Sequence, residues 1–354
     1  MKRILSATAF AGMLLAASLT SCDMVYEDLP ECHYGARLRF VYDHNMEFAN
    51  AFHKQVDCLT VIVYDSDGKY VTTLTEQGEA LADEEYRMEV NLPAGTYTFV
   101  SYGGLHCGES SFRFTEEPGS GSLHTDRGVE LHPDNYHSTR ATAQGEGTEL
   151  HNLFYGAATV EVRDDYSAYD EATVYLMRDT NTLRVLLQQA DGERLHADEF
   201  DFKVIADNTL MAHDNRVVLT GETTYWPWTT GDEEPGTLPD GDAVSVAWGE
   251  FSIPRIADSS QVANLKAGEA YAGPRLQVDW KADGRNVIDL PLIPYLLLTK
   301  PADSRFADMT DQEYLDRENT WSLFFFLDRH YHWVTLQISV KSWSVRINNV
   351  NLAD

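Results

Sequence analysis

Apolar and polar residues alternate with a period of two along most of the chain beyond residue 35. A helix cannot use that period, whereas a half-buried strand requires it. In Ala36-Arg37-Leu38-Arg39-Phe40-Val41-Tyr42 one face carries Ala36, Leu38, Phe40 and Tyr42. Tyr86, Met88, Val90 and Leu92 repeat the pattern, with Arg87, Glu89 and Asn91 opposite. Residues 56–64 are apolar on both faces, which suits a central strand buried on each side, and they end in the turn Asp65-Ser66-Asp67-Gly68. Further strands are expected at 158–162, 174–177, 183–187, 200–204, 244–248, 276–280, 287–298, 321–327, 334–340 and 343–347. Helix signals are scarce. Residues 310–317 are the one short candidate, with Thr310 as N-cap. Many short strands separated by turn chemistry predict an all-β protein of antiparallel β-sandwiches.

Between two of these strands lies Leu92-Pro93-Ala94-Gly95-Thr96-Tyr97, a turn similar to that of transthyretin-like sandwiches. Residues 103–150 show little period and read as loops, and residues 221–241 read as a Pro/Gly/acidic loop. The length of 354 residues suits about two domains. The expected organisation is therefore two tandem transthyretin-like antiparallel β-sandwich domains at 34–152 and 153–354, preceded by a signal peptide at 1–21 and an acidic tether at 22–33.

The first residues predict the destination. Lys2 and Arg3 precede an apolar stretch over residues 4–18 that ends in Leu19-Thr20-Ser21-Cys22. The stretch is short of the roughly 20 apolar residues of a spanning helix and carries the flanks of a signal peptide. Small residues before a cysteine fit a lipobox, so Cys22 is the expected lipid-attachment residue; the plainer reading is a secretory signal with a chance cysteine. Acyl chains on Cys22 would hold the mature protein on a membrane. The acidic run Asp23-Met24-Val25-Tyr26-Glu27-Asp28 fits a surface-export signal in some lineages and inner-membrane retention in others. Cys32, Cys58 and Cys107 allow at most one internal disulfide, and no pair is favoured.

Charge narrows the partners. With 27 Lys+Arg against 56 Asp+Glu the net charge is −29, which repels nucleic acid and anionic lipid alike. No nucleophile elbow and no phosphate-cradling glycine loop is present. His330 and His332 are expected to share one strand face at i and i+2, a ligand-like spacing, but a third ligand is lacking nearby and no metal or cofactor is expected. Asp65-Ser66-Asp67-Gly68 opens like a calcium loop without its closing glutamate, so a hairpin turn is the better reading. The stretch Tyr225-Trp226-Pro227-Trp228 holds flat aromatic faces beside a proline; it could stack on sugar rings or a partner, or plug the end of a sandwich.

Cys32-His33-Tyr34, the run from Leu38 through Tyr42-Asp43-His44-Asn45-Met46 to Phe52, Val56-Asp57-Cys58-Leu59-Thr60 and Leu153-Phe154-Tyr155-Gly156 together resemble the FimB-type family. Its members are lipoprotein anchor and minor subunits of Bacteroidia-type fimbriae. The resemblance implies two transthyretin-like domains, no catalysis, pilin subunits as partners and the cell outer membrane as location. It further implies that related stalk subunits exchange strands after a first strand is removed by proteolysis. Here only residues 348–354 follow the last expected strand, a tail too short to donate. The expected function is a non-catalytic lipoprotein that anchors or terminates a fimbrium. The alternative is a surface glycan-binding lipoprotein using Trp226 and Trp228.

Overall fold

The computed structural model describes residues 34–106, 108–132, 137–138, 147–164, 168–237, 243–301, 306, 308–340 and 343–348. The strand Ala36–Val41 is the middle of a three-stranded sheet, between Asp170–Tyr175 and Met88–Val90. This sheet packs on a five-stranded one ordered Met177–Arg178, Phe154–Val162, Gly95–Gly103, Cys58–Tyr64 and Tyr70–Gln77. Period two decides which side chains meet. Leu38, Phe40, Leu59, Val61, Val63, Phe99, Val160 and Val174 form one buried core. Ile62, Tyr64, Val100 and Tyr102, one residue out of phase, point to the opposite face and join a second core. The strand expected to be apolar on both faces is indeed covered on both.

Covering that second face is a four-stranded sheet, Val217–Val218, Leu210–Ala212, Gly128–Leu131 and Phe112–Phe114, which brings Phe112, Phe114, Val129, Leu131 and Met211. The same core runs on between two larger sheets. One is six-stranded, in the order Thr229–Thr237, Ala243–Pro254, Thr180–Gln189, Thr320–Leu327, Trp333–Val340 and Trp343–Asn348. Its companion is ordered Arg285–Pro291, Arg275–Trp280, Phe200–Ala206, Thr223–Tyr225 and His137–Ser138. Trp321 sits fully buried in this core. The protein is thus all-β and built of packed sheets. Among the described residues the strand ladders are antiparallel apart from two parallel ones, Ala36–Val41 with Asp170–Tyr175 and Thr180–Gln189 with Thr320–Leu327, and a single isolated bridge, Val217 to Val262, is also parallel. Both parallel ladders join strands far apart in sequence, as parallel pairing demands.

Several local expectations hold. The turn after Tyr64 is a hairpin: Gly68 N–H donates to the Asp65 carbonyl, and Asp65 Oδ1 accepts from the N–H groups of Asp67 and Lys69, so that carboxylate serves its own backbone. The helix Asp311–Arg317 starts at Thr310, whose hydroxyl accepts from Glu313 N–H at 3.0 Å. The Pro93-Ala94-Gly95 turn arches between sheets, since Met88–Val90 and Gly95–Gly103 lie on opposite sides of the first core.

Others are corrected. Residues 103–150 contain the strands Phe112–Phe114 and Gly128–Leu131, too short to display a period. Residues 221–241 contain Thr223–Tyr225 and Thr229–Thr237; the second is an edge strand with an irregularity between Glu233 and Gly236, where Pro235 is tolerated. The apolar run 287–298 is a strand only to Pro291 and then turns helical over Leu292–Leu296. The expected division at 152/153 does not coincide with a break between sheets, because Phe154–Val162 pairs along its length with Gly95–Gly103.

Leu38 is fully buried in the middle strand, so Leu38→Ala should destabilise the protein by about 2–5 kcal/mol, read as a lower denaturant midpoint. Val71→Ala, at a 39% exposed position, should stay within about 0.5 kcal/mol of the parent.

Candidate functional site

Cys22 and the tether to residue 33 lie outside the described residues. Tyr34 is partly exposed, and Gly35 then passes over the end of Met88–Val90 with φ +112, where a Cβ would stand 2.0 Å from the Val90 carbonyl oxygen. Only glycine fits there. Arg37 follows, ion-paired to Glu89 at 2.7 Å and Glu171 at 3.3 Å on the two flanking strands, with its guanidinium 5.1 Å from the Tyr169 ring.

At the other end of that strand the chain meets the helix Asp311–Arg317. Arg317 donates to the carbonyls of Asp43 and Asn45 at 3.1 and 3.4 Å and lies over the Phe48 ring at 4.4 Å. Asn319 donates to the Tyr42 hydroxyl at 3.2 Å. Beside this contact runs a buried polar network. Arg255 grips Asp316 through two hydrogen bonds of 2.8 Å, Gln312 donates to Asp316, and Asn215 donates to Asp179 at 2.8 Å. Arg255 also donates to the Asn215 carbonyl. Asp179 is fully buried, and its Oδ2 has no hydrogen-bond partner among the described residues. Burial pushes its carboxyl up from 3.8 to about 7, against the opposing pull of Arg255 and Asn215.

The aromatic stretch divides. Tyr225 is buried, with its hydroxyl donating to Asn208 Oδ1 at 2.8 Å, so it plugs the sandwich. Trp226 and Trp228 are half-buried and line a cleft of about 470 Å³ with Pro227, Phe200, Phe202 and Lys281. Lys203 Nζ sits 5.5 Å from the Trp226 ring and is held by Asp279 at 2.8 Å. Backbone pairing holds the loop, Trp228 N–H donating to Glu250 and Gly147 N–H to Pro227. The two indoles offer flat apolar faces to an occupant; Tyr225 does not.

His330 and His332 do not share a strand face. They lie in the turn between Thr320–Leu327 and Trp333–Val340, where their backbone N–H groups donate to Asp328 Oδ1. Tyr331 between them takes a positive φ of 62, which breaks the alternation the spacing assumed. Among the described residues no group of three or more His, Cys, Asp or Glu is arranged to hold a metal. Cys58 is disulfide-bonded, its partner cysteine lying outside the described residues.

The family of fimbrillin-A associated anchor proteins Mfa1 and Mfa2 matches residues 29–349. The chain belongs to the Mfa2 family. A candidate adhesin of Bacteroides thetaiotaomicron is 42% identical, with a TM-score of 0.78 over 91% of this chain and all of that one. A second protein of Bacteroides thetaiotaomicron, described as a candidate polysaccharide-binding protein, is 29% identical with a TM-score of 0.70, covering 89% and 99%. The fimbrial anchor protein Mfa2 of Porphyromonas gingivalis shares the fold at 16% identity, with a TM-score of 0.59 over 88% and 98%. No curated protein matches.

Membership of the Mfa2 family makes the chain a fimbrial, adhesin-class protein of the cell surface or outer membrane. Among the described residues no helix is long and apolar enough to cross a membrane. The Arg255 network is the part of the site that reading the sequence missed. Its members are spread from Asp179 to Asp316, and no local pattern marks them.

Because the folded carboxyl of Asp179 lies above its unfolded value, the folded state takes up a proton that the unfolded chain does not. Its contribution to stability is therefore most favourable at low pH and is lost as pH rises through about 7. Asp179→Asn keeps an acceptor for Asn215 but cannot ionise. The variant should gain stability relative to the parent between about pH 4 and pH 7, and the gap should level off above about pH 7, as read by urea unfolding across the range.

Proposed function

We propose that this member of the Mfa2 family is a non-catalytic lipoprotein, acylated on Cys22, that anchors or terminates a fimbrium by binding a pilin subunit at the outer membrane. One observation carries this reading. The strand next to the tether is the middle strand of its sheet, hydrogen-bonded on both sides and placing Ala36, Leu38, Phe40 and Tyr42 in the core. Proteolytic removal of that strand would open the first core and take the lipid with it. Retention of the strand keeps lipid and fold on one chain. The family's naming as anchor proteins supports the same role. In this reading the chain has two sandwich units, with the change-over near Arg178 and Asp179, where it leaves the first pair of sheets for Thr180–Gln189. The last described strand, Trp343–Asn348, is paired to Trp333–Val340 within its own sheet, which favours a subunit that accepts a contact instead of donating a strand.

Cys22→Ala should leave a folded protein that moves from the membrane to the soluble fraction while still co-purifying with pilin. Deleting residues 349–354 should leave that capture intact. A Cys22→Ala protein that stays with the membrane would sink the anchor reading, and a truncation that abolishes capture while the circular dichroism is unchanged would reverse the polarity.

A second reading, glycan binding, is favoured by the two half-buried indoles lining the cleft at Pro227. Polysaccharide retardation in affinity gels, if present, should be lost in Trp226→Ala and Trp228→Ala and kept in Tyr225→Phe. Equal retardation of all three proteins would remove this reading.

A further inference from the structure

The parallel pairing of Ala36–Val41 with Asp170–Tyr175 sets the direction in which the first strand resists force. Two parallel strands run the same way, so the tether enters at the Ala36 end while Asp170–Tyr175 leaves at the far end. From there the chain passes through Met177–Arg178 into Thr180–Gln189, an inner strand of the six-stranded sheet. The C-terminal unit also grasps the far end of the first strand directly, Arg317 holding the carbonyls of Asp43 and Asn45 and Asn319 the Tyr42 hydroxyl. Tether and C-terminal unit therefore attach at opposite poles of one sheet.

We infer that the first strand is a mechanical clamp, which carries tension from an N-terminal attachment into the C-terminal unit along the strand axis. Pulled this way, the hydrogen bonds between the two strands lie across the direction of force and share it. Asp170 N–H donates to the Gly35 carbonyl and Leu176 N–H to the Val41 carbonyl, so the bonds bracket all six registered pairs from Ala36↔Asp170 to Val41↔Tyr175. At about 3.3 Å per residue the clamp is about 20 Å long. Sliding it by one residue would move Leu38 and Phe40 from the core to the opposite face, so side-chain burial resists the same motion. Antiparallel Met88–Val90 holds Ala36, Arg37 and Leu38 from the other side, and Arg37 straps both flanking strands through Glu89 and Glu171. Had the two attachments been at one pole, the bonds would open one at a time.

The biological use of the clamp rests on the proposed N-terminal anchoring, but its test does not. The mature chain without lipid is pulled by optical tweezers between an N-terminal handle and one of two site-specific handles. A handle at Asp308, beside the helix that grips residues 43–45, pulls along the strand. A handle at Ala94, close after Val90, whose register partner is Ala36, pulls from the same pole and peels. The rupture force should be several-fold higher for the Asp308 handle. The N–H groups of Asp170 and Leu176 face the first strand, so by alternation that of Ala172 does too and that of Thr173 faces away from it. Ala172→Pro should lower the Asp308 rupture force, whereas Thr173→Pro on the outer side of an edge strand should not. Equal forces in the two geometries would overturn the clamp, as would an Ala172→Pro protein of undiminished strength. If Ala172→Pro does not fold, the comparison of handles on the parent chain decides. A chain that shows the clamp yet fails the Cys22→Ala fractionation would have lost the anchoring reading and kept this one.

Discussion

The fold depends on one strand being held by partners that the sequence keeps far from it. Ala36–Val41 pairs with Met88–Val90 on one side and with Asp170–Tyr175 on the other, and its inward residues fill the first core. Neither neighbour follows it directly in the chain, so the three-stranded sheet cannot close until residue 175 has arrived. The entropy of closing so long a loop grows only slowly with its length, and the apolar surface buried by Leu38, Phe40 and Tyr42 offsets it.

The second constraint is electrostatic. A chain with net charge −29 has few cations to spend, and Arg255 and Arg317 are spent inside the structure. Arg255 satisfies Asp316 with a two-pronged contact, and Arg317 satisfies the backbone carbonyls of Asp43 and Asn45. Removing one member of such a buried pair costs far more than the pair contributes, because the other charge is left without water or partner. Asp179 is the exception within the network. One of its oxygens has no hydrogen-bond partner among the described residues, and burial raises its carboxyl to about 7, so folding favours the protonated form.

Where burial was one-sided or two-sided over six or more residues, the pattern in the sequence was readable. Cys58–Tyr64, Phe200–Ala206, Thr320–Leu327 and Trp333–Val340 all lie where alternation or a continuous apolar run placed them. Short strands escaped, because Phe112–Phe114 has only two inward residues and two points do not make a period. The acidic edge strand Thr229–Thr237 escaped for another reason. An edge presents little surface to bury, so nothing selects an apolar alternation there. In residues 287–298 apolar residues are continuous, and a run without period cannot distinguish strand from helix; packing of Leu292 and Leu296 decided for a helical turn. Of the aromatic stretch the sequence marked the place, but not that Tyr225 points inward while Trp226 and Trp228 line a cleft.

By itself the sequence determined the class of this protein: β-structure from period two, a strongly acidic chain, and the residues that resemble a fimbrial anchor family. These are local or summed properties, written in neighbouring residues and in totals. Only the tertiary structure decided that the first strand lies in the middle of its sheet, that it runs parallel to Asp170–Tyr175, and that Arg317 and Asn319 hold the chain at its far end. Strand order and direction arise from contacts as distant as Leu38 with Met88 and Ala36 with Asp170, and a period of two is the same whichever neighbour a strand chooses and whichever way it runs.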